Sequence, residues 1–372
     1  MQALTRRRLL TAAAAGAVVT ATGCSASTTC PPDPLLTRTM DELGSFTGWL
    51  RQHKVDGSLG EVGWPGDPAW QPLADQWLST LRTSGLSAYL WAAAQWWPPD
   101  HPLAFYRAAQ DSDALAVPGP QAETAERSRQ AGTDLGVSVA DGSFGTGHGD
   151  SETYCSETPG EYGTAYIYPS AESLRFLAAR GYTKIRLTVM WERLQKDPGD
   201  GALVTAEVKR VRQVLRDAAA VNLRVLLDLH NFGRFAGWRN GRRQVWALGS
   251  SDLPKERLAQ TWRRLVDAFS GEAGLWAYGL MNEPHDLPGG AKGWEDASRL
   301  AVDAIRAKDR SRPIHVDGYS WSAARSWSQD HPRPWLDVPG IVYSAHQYFD
   351  LDHSGAYRQS FSATQDELRK KC

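Results

Sequence analysis

Net charge is what this chain most plainly lacks. Lysine and arginine number 41 against 42 aspartates and glutamates, leaving −1 at neutral pH. Nothing in that balance calls for nucleic acid, a polyanion or an anionic membrane, so a neutral partner is expected. No glycine-rich strand-to-helix loop carrying a lysine is present, which argues against phosphate chemistry. His230 and His346 fall at separate strand ends, without the third ligand or the two-histidine spacing of a zinc hydrolase, so no metal and no other cofactor is expected. Asp228 beside His230 leaves a metal-dependent barrel hydrolase as the alternative. The N-terminal apolar stretch, 11–22, is too short for a stable spanning helix. Phenylalanine is also sparse, nine residues against 16 tryptophans. Flat amphipathic indoles in that number suit core and rim packing or the apolar faces of sugar rings.

The N-terminal stretch reads as an address. Thr5-Arg6-Arg7-Arg8-Leu9-Leu10 ahead of 11–22 resembles a twin-arginine export signal, and Ala21-Thr22-Gly23-Cys24 resembles a lipoprotein processing site with Cys24 as the lipidated residue. Residues 1–24 are therefore expected to be an export signal, with the mature protein extracellular or held on the outer face of the cytoplasmic membrane by that lipid alone. Cysteines in an oxidising compartment tend to pair. With Cys24 lipidated, Cys30, Cys155 and Cys372 remain, and one of them stays single.

From about residue 135, strand-like and helical patterns alternate in the rhythm of βα units and a parallel sheet. Strands are expected at 135–140, 184–191, 224–230, 275–281, 313–317 and 341–345, with helices at 170–180, 204–221, 258–269 and 294–307. A parallel barrel that stopped after six strands would leave open edges and an unfilled interior. The segment before 135 holds the complement: a helix at 41–53, a strand at 55–62, a helix at 70–82, a strand at 88–97 and a last helix within 98–132. A single (β/α)8 domain over 25–372 follows, in which 31–132 gives the helix of unit six and units seven and eight, and 133–372 gives units one to six. The alternative is an unrelated N-terminal domain on a defective barrel.

Two glutamates stand where such a barrel keeps its chemistry. Asn282-Glu283-Pro284 closes the apolar run 275–281, and Glu61 follows the run 55–59 in Gly60-Glu61-Val62-Gly63. Retaining hydrolysis of a glycoside needs a nucleophilic carboxylate and a carboxylic acid that protonates the leaving oxygen, about 5–5.5 Å apart, a separation that barrel strand ends can supply. Glu61 fits the nucleophile, and Glu283 the acid/base, kept protonated by partial burial and by the charge of Glu61. Arg186 lies in an apolar strand and needs a carboxylate partner. The plainer alternatives are a turn residue between glycines, a surface carboxylate and a structural ion pair.

From 135 to 357 the chain resembles glycoside hydrolase family 5, the cellulase-type family of retaining (β/α)8 glycosidases. The likeness runs through Lys184-Ile185-Arg186-Leu187, Asp228-Leu229-His230-Asn231, Met281-Asn282-Glu283-Pro284 and His346-Gln347-Tyr348-Phe349-Asp350, in family order. Upstream, Trp49-Leu50, Gly60-Glu61-Val62-Gly63 and Trp91 resemble the last-but-one helix, the nucleophile strand and the final-strand tryptophan. The resemblance implies a circularly permuted barrel in which the seventh and eighth units precede the first. It implies an endo-β-1,4-glucanase that cleaves β-linked polysaccharide or oligosaccharide through a covalent glycosyl-enzyme intermediate. A monomer is expected, though the sequence itself leaves the oligomeric state open. A related hydrolase of mannan, xyloglucan or β-1,3-glucan and a noncatalytic carbohydrate-binding barrel are the alternatives.

For individual residues, the resemblance implies that Arg186 holds Glu61 and that Asn282 bonds the sugar 2-hydroxyl. His230, Asn231, His346 and Tyr348 complete a polar ring, with Tyr348 near the nucleophile. Trp91 forms the platform at the cleavage subsite, and Trp191, Trp238 and Trp321 are further rim positions. The permutation falls between the sixth strand end and the helix around Phe46-Thr47-Gly48-Trp49, which leaves Cys372 and Cys30 in the two halves of one broken connection. A disulfide between them would restore its closure; free terminal thiols are the alternative.

Overall fold

The first helix begins where the sequence satisfies its free backbone donors. Asp33 accepts from the Leu36 N–H at 2.8 Å and Pro34 has no donor to satisfy, so α1 spans Pro34–His53. Its buried stripe of Leu35, Leu43, Phe46, Trp49 and Leu50 keeps the helical period. Lys54, left-handed at φ 57°, ends it and turns the chain into β1 (Asp56–Gly63). The computed structural model describes residues 30–110, 112–146, 152–198 and 201–372, so the expected export signal and Cys24 lie outside the described residues.

The chain continues through α2 (Gln71–Ser84), β2 (Ser87–Ala93), β3 (Tyr106–Ala108), β4 (Leu115–Pro118), α3 (Pro120–Gln130), β5 (Leu135–Val139) and α4 (Ala171–Ala179). There follow β6 (Lys184–Val189), α5 (Trp191–Leu194), α6 (Thr205–Ala220), β7 (Arg224–Leu229), β8 (Arg234–Arg239), β9 (Arg242–Ala247) and α7 (Glu256–Phe269). The remainder is β10 (Leu275–Gly279), α8 (Gly290–Arg306), β11 (Ile314–Asp317), α9 (Trp327–Asp330), β12 (Ile341–Tyr348) and α10 (Phe361–Lys371).

Eight of these strands pair in parallel in the order β1, β12, β11, β10, β7, β6, β5, β2, and β2 pairs back to β1, so the barrel closes without an edge. Burial of nearly every residue in β5, β6 and β7 is what strands need when they are covered by helices on one side and pack a barrel interior on the other. The fold is the expected (β/α)8 barrel. Around it the strands run β5, β6, β7, β10, β11, β12, β1, β2, so the last strand of the chain lies beside the first. A disulfide joins Cys30 to Cys372 at that seam, with the Cα atoms 5.1 Å apart. Gln365 on α10 accepts from the Leu35 N–H at 3.1 Å and donates to Asp33 at 2.6 Å. Cys155 is free and buried.

Element ends differ from expectation for identifiable reasons. The strand expected to reach residue 97 stops at Ala93, because the Gln95 and Trp96 N–H groups donate to the carboxylate of Asp141 at 2.9 and 3.2 Å instead of to a ladder. The strand expected at 184–191 stops at Val189, since Trp191 opens α5. Beyond β2, β3 adds in parallel and β4 antiparallel, and an isolated ribbon, β8–β9, rises after β7.

Candidate active site

Glu61 owes its position to the two glycines around it. The pairing of β1 with β12 slips between Leu59 and Glu61, a bulge at Gly60 that re-aims the glutamate and brings it level with His346. A Cβ on Gly60 would stand 2.7 Å from His346 Nε2 and closer still to Ser344 Oγ, and one on Gly63 would stand 2.7 Å from the Trp91 carbonyl oxygen. Only glycine fits either place. The buried Glu61 carboxylate accepts from Arg186 Nη1 at 2.6 Å and from the Tyr348 hydroxyl at 2.7 Å. Arg186, itself buried on β6, also bonds Asn282 Oδ1 through Nη2, which lies 3.0 Å from Asp228. Asp228 in turn holds His230 Nδ1 at 2.9 Å.

Glu283 follows the end of β10 with a left-handed backbone, φ 44°. That turn directs its N–H to Asp317 at 3.0 Å and sets its carboxyl 2.6 Å from His346 Nδ1. Nε2 of the same imidazole lies 3.2 Å from Asp317 Oδ2, a charge contact without hydrogen-bond alignment. Glu61, Glu283 and His346 each present an O or N atom within 4.8 Å of the others, the one such group among the described residues that could hold a metal ion. A cation there would compete with the His346 proton and with Arg186 for the same carboxylate charge.

Burial and neighbouring charge push the two glutamates apart. Burial drives Glu61 up, but the charges of His346, Arg186 and His230 and the Tyr348 hydroxyl outweigh it, and the carboxyl is held below its ordinary range. Burial and then the charge of Glu61 push Glu283 above the ordinary range, against the pull of His346. Burial would lower His346, yet Asp317 and Glu61 keep its imidazolium well above the usual histidine range. Two buried cations, Arg186 and His346, thus face Glu61, Asp228 and Asp317, and a fourth negative charge at Glu283 is the least welcome. The site thus sets face to face one carboxyl whose surroundings favour its charge and one whose surroundings oppose it.

These groups floor a cleft of about 870 Å³. Trp91 lines it with its ring stacked on His230, centroids 5.2 Å apart, and Trp321 lines it stacked on His285 at 4.3 Å. Trp321 is presented by three consecutive left-handed residues, Ser320, Trp321 and Ser322, and Ser322 is pinned to β12 through the Ser344 carbonyl. Three other expected positions fall elsewhere. Trp191 is fully buried, bonding Gln195 and packing on Phe235 of β8, because it opens α5 instead of ending a strand. Asn231 does not line the cleft; it accepts from the Trp191 N–H at 2.7 Å and donates to Glu192 at 2.7 Å, bracing the loop. Trp238 is exposed on the β8–β9 ribbon and does not line the cleft. Sequence reasoning assigned no role to Asp317, Arg234 or His285. Asp317 carried a signal, an acid closing an apolar strand, whereas Arg234 and His285 lie in loops whose course no pattern gives.

The family model described as Cellulase (glycosyl hydrolase family 5) matches residues 144–371. Endo-beta-1,4-glucanase B of Emericella nidulans is 28% identical over 255 residues, covering 68% of this chain and 70% of that protein. Among solved structures, Pseudomonas stutzeri endoglucanase Cel5A in complex with cellobiose is 33% identical with a TM-score of 0.52, covering 62% of this chain and 63% of its own. XacCel5A in complex with cellopentaose is 29% identical with a TM-score of 0.51, covering 61% and 68%. The chain thus spans about two thirds of the length of these relatives. The matched segment omits β1 and β2, which carry Glu61 and Trp91. With the model matched over more than half its length and the barrel closed, the chain belongs to glycosyl hydrolase family 5, the cellulase family.

Proposed function

We propose that the protein is a retaining endo-β-1,4-glucanase in which Glu61 is the nucleophile and Glu283 the acid/base. The observation that carries this is a pair of carboxyls facing each other across the cleft floor in opposed surroundings: His346, Arg186 and the Tyr348 hydroxyl favour the charge on Glu61, while burial and Glu61 itself oppose it on Glu283. Glu61 attacks the anomeric carbon as Glu283 gives its proton to the departing oxygen, which leaves with the bonding electron pair. The glycosyl ester cancels the charge of Glu61, so the main ionic force raising Glu283 disappears and its carboxylate becomes stable. That carboxylate then takes a proton from water, whose oxygen displaces Glu61 and releases the sugar. Asn282, oriented by Arg186, offers its amide to the 2-hydroxyl, and Trp91 offers a flat wall to the ring.

A β-1,4-linked glucan is supported by the names of the relatives and by the cellobiose and cellopentaose bound to two of them, together with a cleft walled by Trp91 and Trp321. A permuted order is supported by the family match beginning at 144 while Glu61 and Trp91 lie upstream. Export fits a Cys30–Cys372 disulfide, a bond of oxidising compartments. The test is reducing-sugar release from soluble β-1,4-glucan beside Glu61→Gln and Glu283→Gln. Each variant should lose at least about 10³-fold in kcat, and NMR should see the β-anomer form first. Full activity in Glu61→Gln, or the α-anomer appearing first, would overturn the assignment.

A further inference from the structure

We propose that Trp238, near the free end of the β8–β9 ribbon, is a glycan platform outside the catalytic cleft, carrying a β-glucan chain that runs out of it; this rests on the glucanase reading above. Among the described residues four large hydrophobic side chains are exposed, and two of them, Trp238 (52%) and Val245 (43%), belong to this ribbon. Trp238 pairs across it with Arg243 and Val245 with Ala236, so strand alternation puts both apolar groups on one face. Arg234, at the root of β8 and on that same face, lines the cleft. Four residues of strand carry the face about 13 Å outward from Arg234 to Trp238. A polymer leaving the cleft past Arg234 meets the indole next.

The ribbon is held too firmly to be an incidental loop. Two strands alone are marginal in water, but here the buried Glu192 accepts from the Ala236 N–H at 2.7 Å, from Asn231 at 2.7 Å and from the Tyr154 hydroxyl at 3.1 Å. The opposite face packs Phe235 on Trp246, centroids 6.0 Å apart, and on Trp191 at 5.5 Å. Arg243, directly across from Trp238, is pinned to the Tyr154 carbonyl at 2.6 Å. A ribbon fixed in advance loses little backbone freedom on binding, and the flat amphipathic face of its indole suits the apolar side of a sugar ring. A β-glucan chain is the occupant because the face continues from the cleft-lining Arg234 and offers a flat indole without a carboxylate beside it on either strand.

The experiment compares the wild-type protein with Trp238→Ala and Trp238→Tyr on long soluble β-1,4-glucan and on cellotetraose. The alanine variant should raise KM on the polymer about three- to ten-fold, leave kcat and cellotetraose hydrolysis unchanged, and melt with the wild type; tyrosine should restore the KM. An unchanged polymer KM, or an equal loss on both substrates, overturns the platform. So does a wild-type dimer that Trp238→Ala dissociates while polymer KM holds, since the face would then be an interface between copies. If the wild-type protein cleaves no β-1,4-glucan, the glucanase reading itself fails and takes the platform with it, a result distinct from the others.

Discussion

Replacing Arg186 with methionine removes one of the two buried cations that balance the carboxylates of the cleft floor. Its guanidinium lies 2.6 Å from Glu61 and 3.0 Å from Asp228, and all three groups are buried. Deleting one member of a buried ion pair costs about 3–5 kcal/mol, because the partner stays charged and unsolvated. At about 2 °C per kcal/mol for a chain of this size, Tm should fall by about 6–10 °C. The pH profile should move as well. Arg186 helps hold Glu61 below the ordinary carboxylate range, so without it the nucleophile needs a higher pH to ionise, and the acid limb of kcat/KM should shift upward. At the new optimum kcat should still fall about 10²–10³-fold, the usual cost of losing one pre-set electrostatic contact. Arg186→Lys should fall between, since one ammonium cannot reach Glu61, Asp228 and Asn282 together. Calorimetry at fixed pH and initial rates on soluble glucan across the acid range read both effects. An acid limb that stays in place, with a Tm within about 2 °C of wild type, would show that Arg186 does not govern the ionisation of Glu61.

Three further perturbations probe other parts of the molecule. His315 is buried between Tyr89 and Trp276, and burial and the charge of Lys184 lower its imidazole to about 3. The folded value lies below the unfolded one, so its stabilisation is complete above pH 6.5 and is lost as pH falls toward 3, an effect of up to about 5 kcal/mol; His315→Gln should flatten the acid side of a plot of Tm against pH, and parallel curves for the two proteins would reject this. Gly60→Ala should displace Glu61 through the clash with Ser344 and His346, lowering kcat about 10²-fold while the circular dichroism spectrum is kept; an unimpaired kcat would mean that the bulge does not set the nucleophile. Cys30→Ser opens a loop of sequence separation 342 and should lower unfolding free energy by up to about 4–6 kcal/mol in the chain-entropy model; identical denaturant curves with and without reductant would refute it.

The barrel was legible because its strands are buried on both faces and its helices on one, two patterns that a sequence displays directly. Runs such as 224–230 and 275–281 fell within two residues of β7 and β10. Glu61 and Glu283 were legible for a different reason, since each ends or follows an apolar run and is bounded by residues that turn the chain. What escaped was structure held by distant partners. The β8–β9 ribbon alternates too weakly to announce itself, and it stands because Glu192, from another element, accepts its Ala236 N–H. Trp191 looked like a rim residue because a strand was extended two residues too far, and a helix of one turn was enough to bury it. The charge on His346 is likewise a property of Asp317, Glu61 and Glu283 meeting from three strand ends, a fact of register that spacing along one chain does not contain.

The seam between β12 and β1 joins the ends of the chain, and the site is built across it. Glu61 sits level with His346 and Gly63 with Tyr348, so the hydroxyl on the buried carboxylate comes from the far end of the sequence. Bringing such distant strands together in parallel is entropically slow and costly. The contacts that offset this are equally long-range: Gln347 on β12 donates to the Thr39 carbonyl at 2.8 Å and to Glu42 at 3.1 Å and accepts from Trp77 at 2.8 Å. Arg38 on α1 donates to the Asp350 carbonyl at 2.9 Å, and the Tyr357 hydroxyl bonds the Gly63 carbonyl just beyond Glu61. A polar lattice and one disulfide thus hold β12 and β1 together. Gly60 packs so tightly against Ser344 and His346 that the position of Glu61 is tied to that of β12. Pairing of β12 with β1 therefore also assembles the glutamate pair, since both carboxyls meet at His346.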